Sequence, residues 1–229
     1  EVDRTTASAT GIDPVNVLVT LRDVYGNLVQ GVAPSRVVLA ASPTDGVTLR
    51  QPDYPSSSAG RTGGVVLSTK AGRIGLTAKL DGVALPSGTA VDFAAGEPNA
   101  GVCLLSVSPA TRRANGADVA VVTVTLLDGY LNPVPNVAAN SVVVNSNAAS
   151  GVNITQPTGT SSATGTLTAS VTSTKAGTIT FGATVNGQPV VATAAATFTP
   201  GAPDAARSTL RASRSSLAAD GIDSTQLIL

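Results

Sequence analysis

The chain repeats itself at a step of 105 residues. Gly11, Gly116 and Gly221 are spaced by that step, and so are Asp13, Asp118 and Asp223. Thr69-Lys70-Ala71-Gly72 returns as Thr174-Lys175-Ala176-Gly177, Gln51-Pro52 as Gln156-Pro157, and Phe93 as Phe198. Residues 1–100 slide onto 106–205 without a gap. A fixed period of domain size marks a tandem array, and units in a row serve length, spacing or multivalency rather than one active site. Residues 1–96 and 106–201 read as two domains, 97–105 as a linker, and 202–229 as the truncated start of a third repeat. Ala219-Asp220-Gly221-Ile222-Asp223 aligns with Ala114-Asn115-Gly116-Ala117-Asp118, and the chain stops inside the strand expected next. Glu1 stands where a Met would, with no signal peptide, so the sequence reads as a piece of a longer protein. The third opening carries Leu210, Ala212, Leu217, Leu227 and Leu229, an apolar set that a complete domain would bury. It is expected to pack on the second repeat or to add to a sheet of a neighbouring molecule.

The hydrophobic period is 2. Val15-Asn16-Val17-Leu18-Val19-Thr20-Leu21-Arg22 and Val122-Thr123-Val124-Thr125-Leu126 alternate over most of their length, as half-buried strands do. Further strands are expected over 37–41, 47–51, 64–69, 74–80 and 89–93, and again over 179–185 and 194–198. No window carries a helical stripe, and Gly and Pro punctuate the sequence in the manner of a sandwich or barrel. The expected fold class is all-β: tandem immunoglobulin-like β-sandwich domains arranged end to end. The chain has no Trp, so Val, Ile, Leu and Ala must fill the cores around Phe93, Phe181 and Phe198. Gly96-Glu97-Pro98 and Gly201-Ala202-Pro203 mark the junctions. Proline fixes its own φ and pushes the preceding residue towards extended backbone, which favours a semi-rigid rod.

Fourteen basic residues balance fourteen acidic ones, so no nucleic-acid surface or polybasic membrane patch is expected. No apolar run reaches the roughly 18 residues that span a bilayer, and no direct membrane insertion is expected. Residues 106–205 carry only Arg112, Arg113, Lys175, Asp118, Asp128 and Asp204 as charges. Cys103 is alone, which forbids an internal disulfide. Its repeat equivalent is Ser208, and no basic neighbour in sequence stands ready to make a thiolate, so it reads as a packing residue.

Asp23-Val24-Tyr25-Gly26-Asn27-Leu28-Val29 and Asp128-Gly129-Tyr130-Leu131-Asn132-Pro133-Val134 follow the strongest strands. Their Asp, Asn and Gly residues are turn chemistry: short side chains that bond nearby main-chain N–H groups, and backbone that tolerates positive φ. Asn136 replaces Gly31 and is the residue best able to stand in for it. Leu131 replaces Gly26, so the second turn is expected to have a different backbone geometry there. One carboxylate and one amide per motif fall short of the six to eight oxygens that calcium wants. Asp13, Asp118 and Asp223 follow turn glycines, and their expected task is to satisfy main-chain donors at the start of a strand. Lys70 and Lys175 read as solvated turn lysines rather than as isopeptide crosslinks, which need a buried carboxylate. With no His in the chain, Ser-His and Cys-His chemistry is excluded, and no recurrent carboxylate pair or phosphate loop is present. No catalytic, cofactor or metal residue is expected, and Asn153-Ile154-Thr155 reads as a chance sequon.

The strand ending in Asp-x-x-Gly-Asn-x-Val, preceded by a Gly-x-Asp turn, resembles the bacterial immunoglobulin-like repeat, the Big-1 domain, of the intimin and invasin adhesins. Leu217-Ala218-Ala219-Asp220-Gly221-Ile222-Asp223-Ser224-Thr225 is especially similar to that family's repeat opening. The resemblance spans the chain. It implies a non-catalytic stalk or spacer segment of a bacterial cell-surface adhesin, outer-membrane-anchored or secreted. On that reading the host or surface ligand is bound by parts outside residues 1–229, and the partners inside the chain are neighbouring repeats. The alternatives are repeats that bind a protein or glycan themselves, or a spacer in a large extracellular enzyme. Tyr54 is the one tyrosine without an equivalent, while Tyr25 and Tyr130 share a turn position.

Overall fold

The computed structural model describes residues 1–229. Its strands form two sandwiches. In the first, β1 is Thr6–Ser8, β2 Val15–Thr20, β3 Val37–Ser42, β4 Val47–Arg50, β5 Arg61–Ser68, β6 Gly72–Leu80, β7 Val83–Ala84 and β8 Thr89–Ala94. In the second, β9 is Leu104–Ser108, β10 Thr111–Arg113, β11 Ala120–Thr125, β12 Val142–Ser146, β13 Val152–Thr155, β14 Thr166–Ser173, β15 Gly177–Val185, β16 Gln188–Pro189 and β17 Ala194–Thr199. The only helical elements are the single 3-10 turns Pro34–Arg36 and Ala139–Ser141.

One sheet of the first sandwich runs β2-β5-β4 and the other β1-β8-β6-β3, with β7 hairpinned onto β6. The second repeats this as β13-β14-β11-β9 and β10-β17-β15-β12, with β16 on β15. The registers match residue for residue across the 105-residue step: Val37 faces Leu80 as Val142 faces Val185, and Gly72 faces Phe93 as Gly177 faces Phe198. Register is firm because a slip of one residue would turn every apolar side chain outward.

β2 shows the cause. Val15, Val17 and Val19 are buried, and the residues between them face outward or are half-covered. The inward residues of the first sandwich close on Val66, Ile74, Leu76, Val91 and Phe93. Those of the second close on Val122, Val124, Val171, Phe181 and Phe198. Leu76 stands where the second core has Phe181, so the first is filled by smaller side chains. A cleft of about 200 Å³ opens beside Leu76, lined also by Val17, Val19, Leu39 and Ala78.

The expected strands are present, and β1 and β10 were not expected. These three-residue strands run parallel to β8 and β17. They are too short and too polar to show alternation. β9 begins at Leu104, within the stretch 97–105 expected to be linker, because Leu104 and Leu105 pair with Thr125 and Val124. Of the two arrangements expected for residues 202–229, packing on the second repeat is overturned. These residues do not pack on the second sandwich: almost every residue is exposed. β18, Arg211–Ala212, pairs instead with β19, Leu227–Ile228. Arg211 faces Ile228 as Ser106 faces Thr123, so the third opening takes the repeat's own β9–β11 register.

Candidate functional site at the junction of the two sandwiches

The repeated Asp-x-x-x-Asn turn is built identically in both sandwiches. Asp128 Oδ1 accepts from the main-chain N–H of Tyr130 at 2.8 Å and of Asn132 at 2.9 Å, and Asn132 Nδ2 donates to Asp128 Oδ2 at 2.9 Å. The corresponding bonds to Asp23 are 2.9, 2.8 and 2.9 Å. Leu131 does not change the turn, contrary to expectation. It adopts φ 65°, beside 86° for Gly26, and its N–H reaches the Asp128 carbonyl at 3.0 Å as Gly26 reaches Asp23. The hydrogen-bonded frame holds a side chain in left-handed backbone that leucine resists. Asn136 at φ 62° does replace Gly31 at 77°.

What differs is the surroundings. Asp128 and Asn132 are 2% and 3% exposed, whereas Asp23 and Asn27 lie open to solvent. Asn132 is turned on the first sandwich: its Oδ1 accepts from Ala71 N at 3.0 Å, and its Nδ2 donates to the Thr69 carbonyl at 2.9 Å. The carboxamide thus satisfies a donor and an acceptor of the Thr69-Lys70-Ala71-Gly72 turn together. Asp128 Oδ2 accepts from Gly96 N at 2.9 Å, which fixes the linker. Asn99 N donates to the Leu127 carbonyl at 2.8 Å, and the Tyr130 hydroxyl lies 3.8 Å from where a side chain at Gly11 would begin. Four neutral N–H donors thus converge on one buried carboxylate. Burial alone would raise the Asp128 pKa, but the Asn132 side chain and the N–H groups of Gly96, Asn132 and Tyr130 outweigh it and hold the carboxyl below its ordinary value. Such charge-assisted bonds are stronger than neutral ones.

The other singled-out residues take local tasks. Ser8 N donates to Asp13 Oδ2 at 2.7 Å, Arg113 N to Asp118 Oδ2 at 3.4 Å and Ala218 N to Asp223 Oδ2 at 3.1 Å. Those are the main-chain donors such aspartates were expected to meet. Lys70 and Lys175 are exposed, with Lys175 Nζ on Ser150 Oγ at 2.7 Å. Cys103 is buried at the junction. Leu127 N donates to its sulfur at 3.4 Å, and burial raises the thiol pKa. A protonated, enclosed thiol is a packing group.

In the sequence Gln51-Pro52 shows only as a repeat marker. The Gln51 carboxamide bonds both main-chain groups of Leu39, at 2.7 and 2.9 Å, and Gln156 does the same to Val144, at 2.8 Å each. Each glutamine therefore ties one sheet of its sandwich to the other. Its recurrence at the period was the available signal.

This is an immunoglobulin-like β-sandwich architecture. Residues 100–201 match the family model described as Invasin, domain 3. That match covers the second sandwich. Among solved structures it is similar to InvD of Yersinia pseudotuberculosis, at 21% identity and TM-score 0.65, with 95% of this chain and 61% of that one covered. It is similar to FdeC, an Escherichia coli adhesin, at 21% identity and TM-score 0.66, covering 93% and 66%. It is also similar to invasin, a bacterial integrin-binding protein, at 25% identity and TM-score 0.53, covering 99% and 44%. The chain therefore spans between 44% and 66% of those structures' lengths. No curated protein matches it in sequence. No helix is long and apolar enough to cross a membrane.

Proposed function

We infer that this chain is a non-catalytic stalk segment of a bacterial cell-surface adhesin, with its sandwiches arranged end to end so that a more specific part is held away from the envelope. The domains are residues 1–96 and a second sandwich that begins with β9 at Leu104 and runs to 201, and 202–229 open a third. The observation that carries this reading is the Asn132 carboxamide, which bonds two main-chain groups of the preceding sandwich while Asp128 anchors the linker. A freely jointed pair of domains has no use for a buried polar residue whose partners lie in its neighbour. The match of residues 100–201 to the invasin family model supports the surface location and the adhesive role.

A second reading, in which the repeats bind a glycan directly, has one observation in its favour. Tyr54 is half-exposed beside a polar cleft of about 360 Å³ lined by Asp3, Asn16, Arg50 and Asp53. Aromatic rings with flanking polar groups suit sugars, but here a single ring stands without a partner.

One exchange separates the two. In the full-length protein displayed on its bacterium, residues 1–201 are replaced by an unrelated pair of immunoglobulin-like domains of equal length. The stalk reading expects adhesion to be retained after replacement and lost after simple deletion. Loss on replacement, with surface display unchanged, contradicts it and favours direct binding.

A further inference from the structure

The two halves of the junction are present again, unpartnered, elsewhere in the chain. The Asp23–Asn27 turn has the internal bonds of Asp128–Asn132, yet Asn27 Oδ1 accepts nothing and Asp23 Oδ2 accepts only from Asn27. Tyr25 is 88% exposed where Tyr130 is 47%. On the second sandwich Thr174, Ala176 and Gly201, equivalents of Thr69, Ala71 and Gly96, are exposed.

An independent observation lies beside the turn. In the second sandwich β9 covers the edge of β11 from Val121 to Thr125, Cys103 joins the core, and Leu105 packs against it. The matching edge of β2 is paired only over residues 16–18, by Glu1 to Asp3 through the Val2–Val17 bridge and the bonds that Glu1 and Asp3 make to Leu18 and Asn16; Val19 and Thr20, the equivalents of the residues that Leu105 and Leu104 cover, have no such partner. The cleft of about 200 Å³ between the sheets lies at that edge, with Glu1 on its rim. It sits where an apolar residue in the position of Leu105 would reach.

We propose that the Asp23–Asn27 turn and the adjoining cleft form a docking face for the C-terminal end of another repeat of this type, joined in line before Glu1. The inference rests on the stalk reading and adds the partner's chemistry. That partner brings a Thr-x-Ala turn whose N–H and C=O meet the Asn27 carboxamide, and a glycine N–H that meets Asp23 Oδ2. It also brings a short strand that pairs with β2 and places an apolar side chain in the cleft. Contact is head to tail, so each added repeat leaves the same two faces at its ends.

The test extends the natural chain by a copy of its own residues 106–210 placed directly before Glu1, which keeps the 105-residue step and puts a Leu210 in the position of Leu105. Amide hydrogen exchange is followed at residues 18–28, at the copy's Thr174–Gly177, and at the existing junction. Exchange at both new segments is expected to slow by at least about tenfold relative to the unextended chain. Asn27→Ala should restore fast exchange at the new junction. Tyr25→Ala, which leaves the turn's hydrogen bonds in place, should do so in part. Unchanged exchange at both segments, with Thr69–Gly72 and Asp128–Asn132 still protected, overturns the proposal and leaves the stalk reading standing. A copy that folds in the second position of the chain but not before Glu1 overturns it as well. Fast exchange at the existing junction contradicts the stalk reading itself.

Discussion

Asn132 and Asn27 hold the same place in equivalent turns and make the same bond to an aspartate, yet only Asn132 is buried against another sandwich. Asn132→Ala should therefore destabilise the second sandwich by about 1–3 kcal/mol, the penalty for leaving buried partners unsatisfied. Asn27→Ala should cost clearly less. Urea unfolding of both variants checks the difference. Leu131→Gly should stabilise by about 1 kcal/mol, because a side chain that is 59% exposed gives up left-handed strain and loses little burial. Acid tests the carboxylate. Folding lowers the Asp128 pKa, so its contribution is complete above the unfolded value of about 3.9 and is lost as pH falls through the lower folded value. Asp13, Asp23 and Asp118 are lowered too and act in the same direction. Stability measured by thermal unfolding should be flat near neutrality and fall below about pH 4, and Asp128→Asn should flatten that fall.

Among the elements, the strands that alternate cleanly were legible. Val15 to Thr20 and Val122 to Thr125 announce one buried face because a sheet covered on one side enforces period 2. Thr6–Ser8 and Thr111–Arg113 were not legible, since three residues with one inward side chain carry no pattern. The glutamine clips are not legible for another reason. Gln51 bonds a residue 12 positions away on the opposite sheet, a relation that no local propensity encodes. Gln156→Ala should leave Val144 N–H and C=O without these partners and cost about 1–3 kcal/mol, measured by the same unfolding. β5 holds a contrast between the repeats. A side chain at Gly64 would begin 2.0 Å from the Arg50 carbonyl oxygen, although the equivalent in β14 is Ala169. Gly64→Ala should therefore destabilise the first sandwich by more than about 2 kcal/mol, an overpacking cost that Ala169 shows the second does not bear.

For the whole molecule, the 105-residue period made the fold class legible, because two sandwiches of one design share their central ladders, as β2–β5 and β11–β14 do. The junction was legible only in part. Asp-x-x-x-Asn reads correctly as a turn, but Asn132 also bonds groups 61 and 63 residues away, and sequence does not show which of the two equivalent turns will be covered. The central claim is that these bonds fix one sandwich relative to the next, so that the chain acts as a rod. Residual dipolar couplings, measured for both sandwiches of the intact chain in one aligned medium, test it most directly. The account predicts that a single alignment tensor fits both sets of couplings, and that Asn132→Ala splits it in two. Two tensors of different magnitude in the natural chain would show independently tumbling domains and contradict it.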